Sequence, residues 1–240
     1  MERRVKIAIT VLSGVALAAL LTSGGGGEVV SDTSGPNGLS GPTAAMRRRI
    51  LEVAYAELRR PVREDSAIAT RNRGERIDEY NRYAGPGLGS PYCASFVNWV
   101  VGHAYGRDRR LPWMGGSTSG FMVPVRNAYR NGKLPAEYVA FRRDPATLSR
   151  VRPGWVFVKG TMRDGSDPLE ASAGAWDTGH TGIITKPISS AAGYYESIDG
   201  NTVGKGATIG GVYNTLRPWS NPSDVIFFDP VAVTMALGQG

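Results

Sequence analysis

Residues 180–199 read HTGIITKPISSAAGYYESID. Two runs rich in β-branched and aromatic residues, HTGIITK and YYESID, flank PISSAAG, a stretch of turn-forming and small residues. That pattern predicts an antiparallel hairpin. Symmetric pairing about the loop sets Lys186 opposite Gly193 and His180 opposite Asp199. Directly opposed side chains stand about 5 Å apart at Cβ, so a carboxylate would meet an imidazole across the ladder. Asn201 lies two residues beyond Asp199, on the same face and diagonally within reach. Glu196 has the other parity and faces away from His180 in this register.

The texture around the hairpin places it in a larger sheet. WVFVKG (155–160), TIGGVYNTL (208–216) and VIFFDP (225–230) are further short apolar runs between Gly, Pro, Asn and Ser. The first half of the chain is helical in pattern. Thr43 can cap a helix running to about Arg60, with Met46, Ile50, Val53 or Ala54, and Leu58 on one face and Pro61 at its end. A second helix is expected around Glu75–Tyr83. A third starts at Pro91 with Ser90 as N-cap, because proline's missing N–H is not needed there. A fourth covers 118–131 despite Pro124. Helices first and strands second predict an α+β domain, with the N-terminal helices packed on an antiparallel sheet.

The chain is long enough for one sizeable domain with extensions. MERRVK, then an apolar run from Ile7 to Leu21, then TSGGGGE, has the three-part layout of an export signal over residues 1–23. The run is shorter than the roughly 20 residues a spanning helix needs, so membrane contact is expected only through this segment. Residues 24–43 are rich in Gly, Ser and Pro and read as a flexible linker. The domain is expected over 44–230, with 231–240 as a tail. A secreted or cell-envelope location follows. Losing residues 1–23 would lower the net charge from +7 to +5. That balance suits an anionic surface such as a cell-wall polymer, or simple solubility. No basic stripe interleaved with aromatics is present, so nucleic acid is not expected as a partner. Two histidines and one cysteine provide no cluster at zinc spacing, so no metal and no cofactor are expected.

Cys93, in SPYCASFVNW (90–99), is the one cysteine of the chain and has no disulfide partner. A lone cysteine on an apolar helix is by default a small core hydrophobe. A first-turn position argues otherwise, because free backbone N–H groups and the helix dipole there favour a thiolate. A thiol nucleophile needs a base. His103 lies ten residues along the same helix, about 15 Å away at 1.5 Å per residue, and is expected to be a packing or surface residue. His180 remains, with Asp199 or Asn201 to hold its tautomer.

These residues resemble a family. Pro91-Tyr92-Cys93-Ala94-Ser95-Phe96-Val97-Asn98-Trp99, Gly179-His180-Thr181-Gly182-Ile183-Ile184 and Asp199-Gly200-Asn201-Thr202 look like the three motifs of a CHAP domain, a cysteine, histidine-dependent amidohydrolase/peptidase. NRGERIDEYNRYAG upstream, Pro153-Gly154 and GGVY at 210–213 add to the likeness, which spans roughly 44–230. The resemblance implies a papain-like fold and hydrolysis of amide bonds in peptidoglycan by a monomer. Cys93 would be the nucleophile, His180 the base, and Asp199 with Asn201 the orienting pair. Three positions depart from the pattern. Tyr92 stands where tryptophan is common, Trp155 where aspartate often follows Pro-Gly, and Asp199 where glutamate is usual. A wall-binding module without activity and an amide hydrolase with a different substrate are the alternatives. Trp176, in the 160–178 loop that leads to His180, is a candidate for stacking on a sugar ring or for plain packing.

Overall fold

A computed structural model describes residues 42–68, 71–142, 144–162, 176–188, 193–218 and 224–238. The segment read as an export signal, nearly all of the linker and most of the 160–178 loop lie outside them, as does the side chain of Trp176. The elements run α1 (Pro42–Arg59), α2 (Glu75–Ala84), α3 (Cys93–Ala104), α4 (Thr118–Arg130), β1 (Val139–Phe141), α5 (Pro145–Leu148), β2 (Val156–Met162), β3 (Trp176–Ile184), β4 (Tyr194–Thr202), β5 (Gly211–Pro218), β6 (Asp224–Phe228) and α6 (Pro230–Leu237). The strands form one sheet in the order β1-β6-β2-β3-β4-β5, and every neighbouring pair is antiparallel. The chain is therefore an α+β domain, with helices on an antiparallel sheet.

Both faces of the sheet are buried at its centre, over β2, β6 and much of β3 and β4, which explains why those strands read as near-continuous apolar runs. Val156, Val158, Ile183, Ile198, Ile226 and Phe228 join the core that includes Ile50 of α1, Phe96 and Val100 of α3, and Phe121 of α4. The alternate residues Phe157, Ile184, Tyr195, Val225 and Phe227 form a second core with Leu148, Val151 and Trp155. Tyr195 meets the rings of Phe157 and Phe227 edge-on, with centroids 5.1 and 5.4 Å away.

Most of the expected tail at 231–240 is helical. Pro230–Leu237 form α6, whose Val231, Val233 and Thr234 are buried. Asp229 caps the helix by accepting the Val231 N–H at 3.0 Å, and its other oxygen takes Arg47 of α1 at 2.8 Å. Trp113 Nε1 donates to Thr234 Oγ1 at 3.1 Å. The Asp-Pro at 229–230 is an N-cap signal in its own right, and the apolar turn that follows completes the core over α1 and α4.

The hairpin forms, in a different register. Ile183 pairs with Ile198 and Ile184 with Ser197, two residues away from symmetric pairing. Thr185 donates to the Glu196 carbonyl at 3.1 Å, and Pro187 has no N–H with which to extend the ladder evenly. An even slip preserves parity, so Asp199 and His180 still share a face. Asp199 now belongs opposite Gly182.

Helix α3 lies close against β4 at Gly200, where an added Cβ would stand 2.6 Å from Phe96 Cβ. Gly200→Ala is expected to cost about 1–3 kcal/mol, a drop of several degrees in Tm for a domain of this size. Gly87→Ala, where nothing lies within 4 Å, should stay within about 0.5 kcal/mol of wild type. Thermal unfolding of the two variants checks this, and equal midpoints would refute the close approach.

Candidate active site

Helix α3 begins two residues later than its Ser-Pro suggests. The first helical bond runs from the Phe96 N–H to the Tyr92 carbonyl at 2.8 Å, so Cys93 is the first helical residue. Ser90 cannot cap it, because the loop before the helix is fastened elsewhere. The Ser90 carbonyl accepts Asn81 Nδ2 at 3.2 Å, and the Gly89 carbonyl accepts Asn72 Nδ2 at the same distance. Two asparagines of the NRGERIDEYNRY segment thus set the approach to Cys93. The N–H groups of Cys93, Ala94 and Ser95 precede that first bond, and such N-terminal groups are free to bind a negative oxygen.

The same segment anchors α3 from behind. Glu57 of α1, 3% exposed, accepts Arg76 Nε at 2.8 Å and the Tyr80 hydroxyl at 2.6 Å. The Arg76 guanidinium sits 4.2 Å above the Trp99 ring. Trp99 in turn stacks on His103 at 3.7 Å, and His103 Nδ1 lies 3.0 Å from the Trp99 carbonyl. Burial holds the His103 pKa below the usual histidine range. His103 is a packing residue at the far end of the helix from Cys93.

His180 comes to the site from β3. Its Nε2 lies 3.3 Å from Asp199 Oδ2, across to β4. The reach is diagonal and passes over Gly182. A Cβ at that glycine would lie 2.0 Å from Asp199 Oδ1, so the side chain of Asp199 occupies the space that Gly182 leaves empty. Cys93 is the other group close enough to the imidazole to raise its pKa. With Nε2 turned to Asp199, Nδ1 is the nitrogen left for the thiol. Cys93 is buried, and the imidazole is 20% exposed beside it.

Asn201 makes no contact with His180 comparable to that of Asp199. The β4–β5 ladder is irregular between Asp199 and Thr202, and Asn201 takes a left-handed conformation with φ 56°. Among the described residues its side chain makes no hydrogen bond, and the β3–β4 ladder does not extend to it. The residue that sequence reasoning missed is Arg217 of β5. Its Nε donates to Asp199 Oδ2 at 2.7 Å, and a second nitrogen of the guanidinium also contacts that oxygen. The available signal was parity: Arg217 follows Tyr213 and Thr215 on one strand face, and β5 is the neighbour of β4.

The electrostatics follow from this packing. Burial alone would depress the His180 pKa. Hydrogen bonds to Asp199 and Cys93, and their charges, overcome it and push the value up to about 9. Burial also works against the Asp199 carboxylate, yet His180 and Arg217 hold it below the usual range. The arrangement has the parts of an activated thiol: a sulfur, an adjoining imidazole, a carboxylate fixing that imidazole, and helix N–H groups beside the sulfur. Among the described residues no group of three or more His, Cys, Asp or Glu is placed to hold a metal ion. Comparison with protein-family models, curated proteins and solved structures found no match for the chain.

The chain has two histidines, and their titrations should separate. By NMR, His180 is expected to lose its proton near pH 9 and His103 below its ordinary 6.5. Asp199→Asn should lower the His180 midpoint by about one unit or more, since a paired anion is lost, and leave His103 unmoved. Coincident midpoints near 6.5 would overturn the assignment.

Proposed function

We propose that the protein is an exported cysteine hydrolase of amide bonds in bacterial peptidoglycan, built on a papain-like arrangement. The single observation that carries this reading is the His180–Asp199 pair, with Cys93, the first residue of a helix, as the other group that acts on the same imidazole. The likeness of the three motifs to the CHAP family, the export-type N-terminus and the net charge of +7 support the substrate class.

The chemistry follows from the residues present. His180 accepts the thiol proton, and the Cys93 thiolate attacks the amide carbonyl carbon. The oxygen that becomes negative is met by N–H groups at the start of α3. The imidazolium gives its proton to the departing amine as the C–N bond breaks, leaving a thioester on Cys93. His180 then takes a proton from water, whose oxygen attacks the thioester. The thiol regains its proton and a carboxylic acid leaves. Asp199 fixes the ring so that one nitrogen faces sulfur throughout. The raised His180 pKa keeps the imidazolium available at neutral pH.

The domain lacking residues 1–41 should release new amino groups from purified cell walls, and Cys93→Ala should release none. Mass spectrometry of the fragments assigns the bond, whether at the sugar–stem amide or within the peptide. Asp199→Ala should lower kcat about 10²–10⁴-fold, whereas Asn201→Ala should stay within a few-fold. The rate should fall as pH rises through about 9, where the imidazolium is lost. Equal hydrolysis by wild type and Cys93→Ala sinks the proposal. Wall binding by both without any released fragment would favour a binding module.

A further inference from the structure

The imidazole of His180 has a second neighbour that the chemistry above does not use. Lys159 of β2 stands directly opposite His180 in the β2–β3 ladder. Opposed residues project from the same face with Cβ atoms about 5 Å apart. His180 therefore has an anion on one flank, Asp199 of β4, and a cation on the other, Lys159 of β2. Lys159 is half-buried, and among the described residues its ammonium makes no hydrogen bond or ion pair. Burial, then the charges of Arg217 and Arg142, hold its pKa below the ordinary lysine value.

Arg217 and Arg142 act on Lys159, and a protonated His180 adds a further positive charge directly opposite it. Asp199 is the carboxylate in contact with His180, and its Oδ2 already serves both His180 and Arg217. Glu196, the other acid of β4, has the opposite parity and is engaged by Lys186 at 2.9 Å and Asn214 at 3.1 Å. Among the described residues Lys159 has no carboxylate in contact, and a half-buried ammonium of that kind is well placed to take a bound anion.

We infer that Lys159 is a specificity-determining residue that receives a carboxylate of the substrate, next to the amide that Cys93 attacks. The inference rests on the proposal that Cys93 is the nucleophile. It narrows the substrate class to peptides that carry a free carboxylate close to the scissile bond. Lys159 contacts no reacting atom in this scheme. It acts by orienting the peptide.

The test uses the single cysteine. A thiolate displaces iodide from iodoacetate and iodoacetamide in the same way, and the two reagents differ in that the first bears a carboxylate beside the reacting carbon. At pH 7 the ratio of their rates at Cys93 should be roughly three- to tenfold higher in wild type than in Lys159→Met. The iodoacetamide rate should stay within about twofold, which shows that the variant folds and keeps its thiol. Equal ratios in the two proteins overturn the inference. A second arm compares one cleavable peptide with its carboxylate free or amidated. Lys159→Met should raise KM for the free acid alone and leave kcat unchanged. An equal loss on both peptides overturns the subsite and leaves the hydrolase standing. Hydrolysis retained in Cys93→Ala overturns the hydrolase, while the alkylation ratio still reports on Lys159. A wild-type thiol inert to both reagents overturns the two together.

Discussion

The site depends on how closely helix α3 lies against strand β4 and how closely β4 leans on β3. Two glycines make both approaches possible. At Gly200 a side chain would run into Phe96 of α3, and at Gly182 one would occupy the place taken by the Asp199 carboxylate. Interiors pack at near-crystalline density, so a single added carbon at either point must displace a neighbour. These two absences of a side chain bring a thiol on a helix and a carboxylate on one strand to the imidazole of another.

What holds α3 in that position lies far from the sulfur. Glu57, Arg76, Tyr80 and Trp99 form a buried set that ties α1, α2 and α3 together. Removing one partner of such a set leaves a buried charge unmatched, so it specifies geometry more than it adds stability. Asn72 and Asn81 extend the same control to the loop before Cys93. The second half of the domain contributes a different kind of order. There the aromatic cluster of Phe157, Tyr195 and Phe227 backs the sheet face that carries His180.

The charges at the site are arranged around one acid. Asp199 is fully buried and touches both His180 and Arg217. Arg217 lets the carboxylate stay ionised out of contact with water, and the carboxylate lets the imidazole keep its proton. An aspartate, one carbon shorter than glutamate, fits because the space over Gly182 allows a short side chain to cross between strands. Asn201, two residues on, takes a left-handed conformation where the β4–β5 ladder is irregular.

The sequence by itself determined the first four helices and the longer strands, the α+β class, the position of Cys93 at a helix start, and the choice of His180 over His103. Those are local facts, set by periodicity, turn residues and the rise of a helix. It also determined parity, and therefore that Asp199 and His180 share a face whichever even register the hairpin takes. The exact register, the helical fate of 230–237, the left-handed turn at Asn201 and the arrival of Arg217 were decided only by the tertiary structure. Each depends on contacts between residues far apart in the chain. Strand β5 must lie beside β4 before Arg217 can reach Asp199, and α1 must be in place before Arg47 and Asp229 can hold α6 against it. No local pattern encodes those distances, because they follow from how the two faces of the sheet are filled.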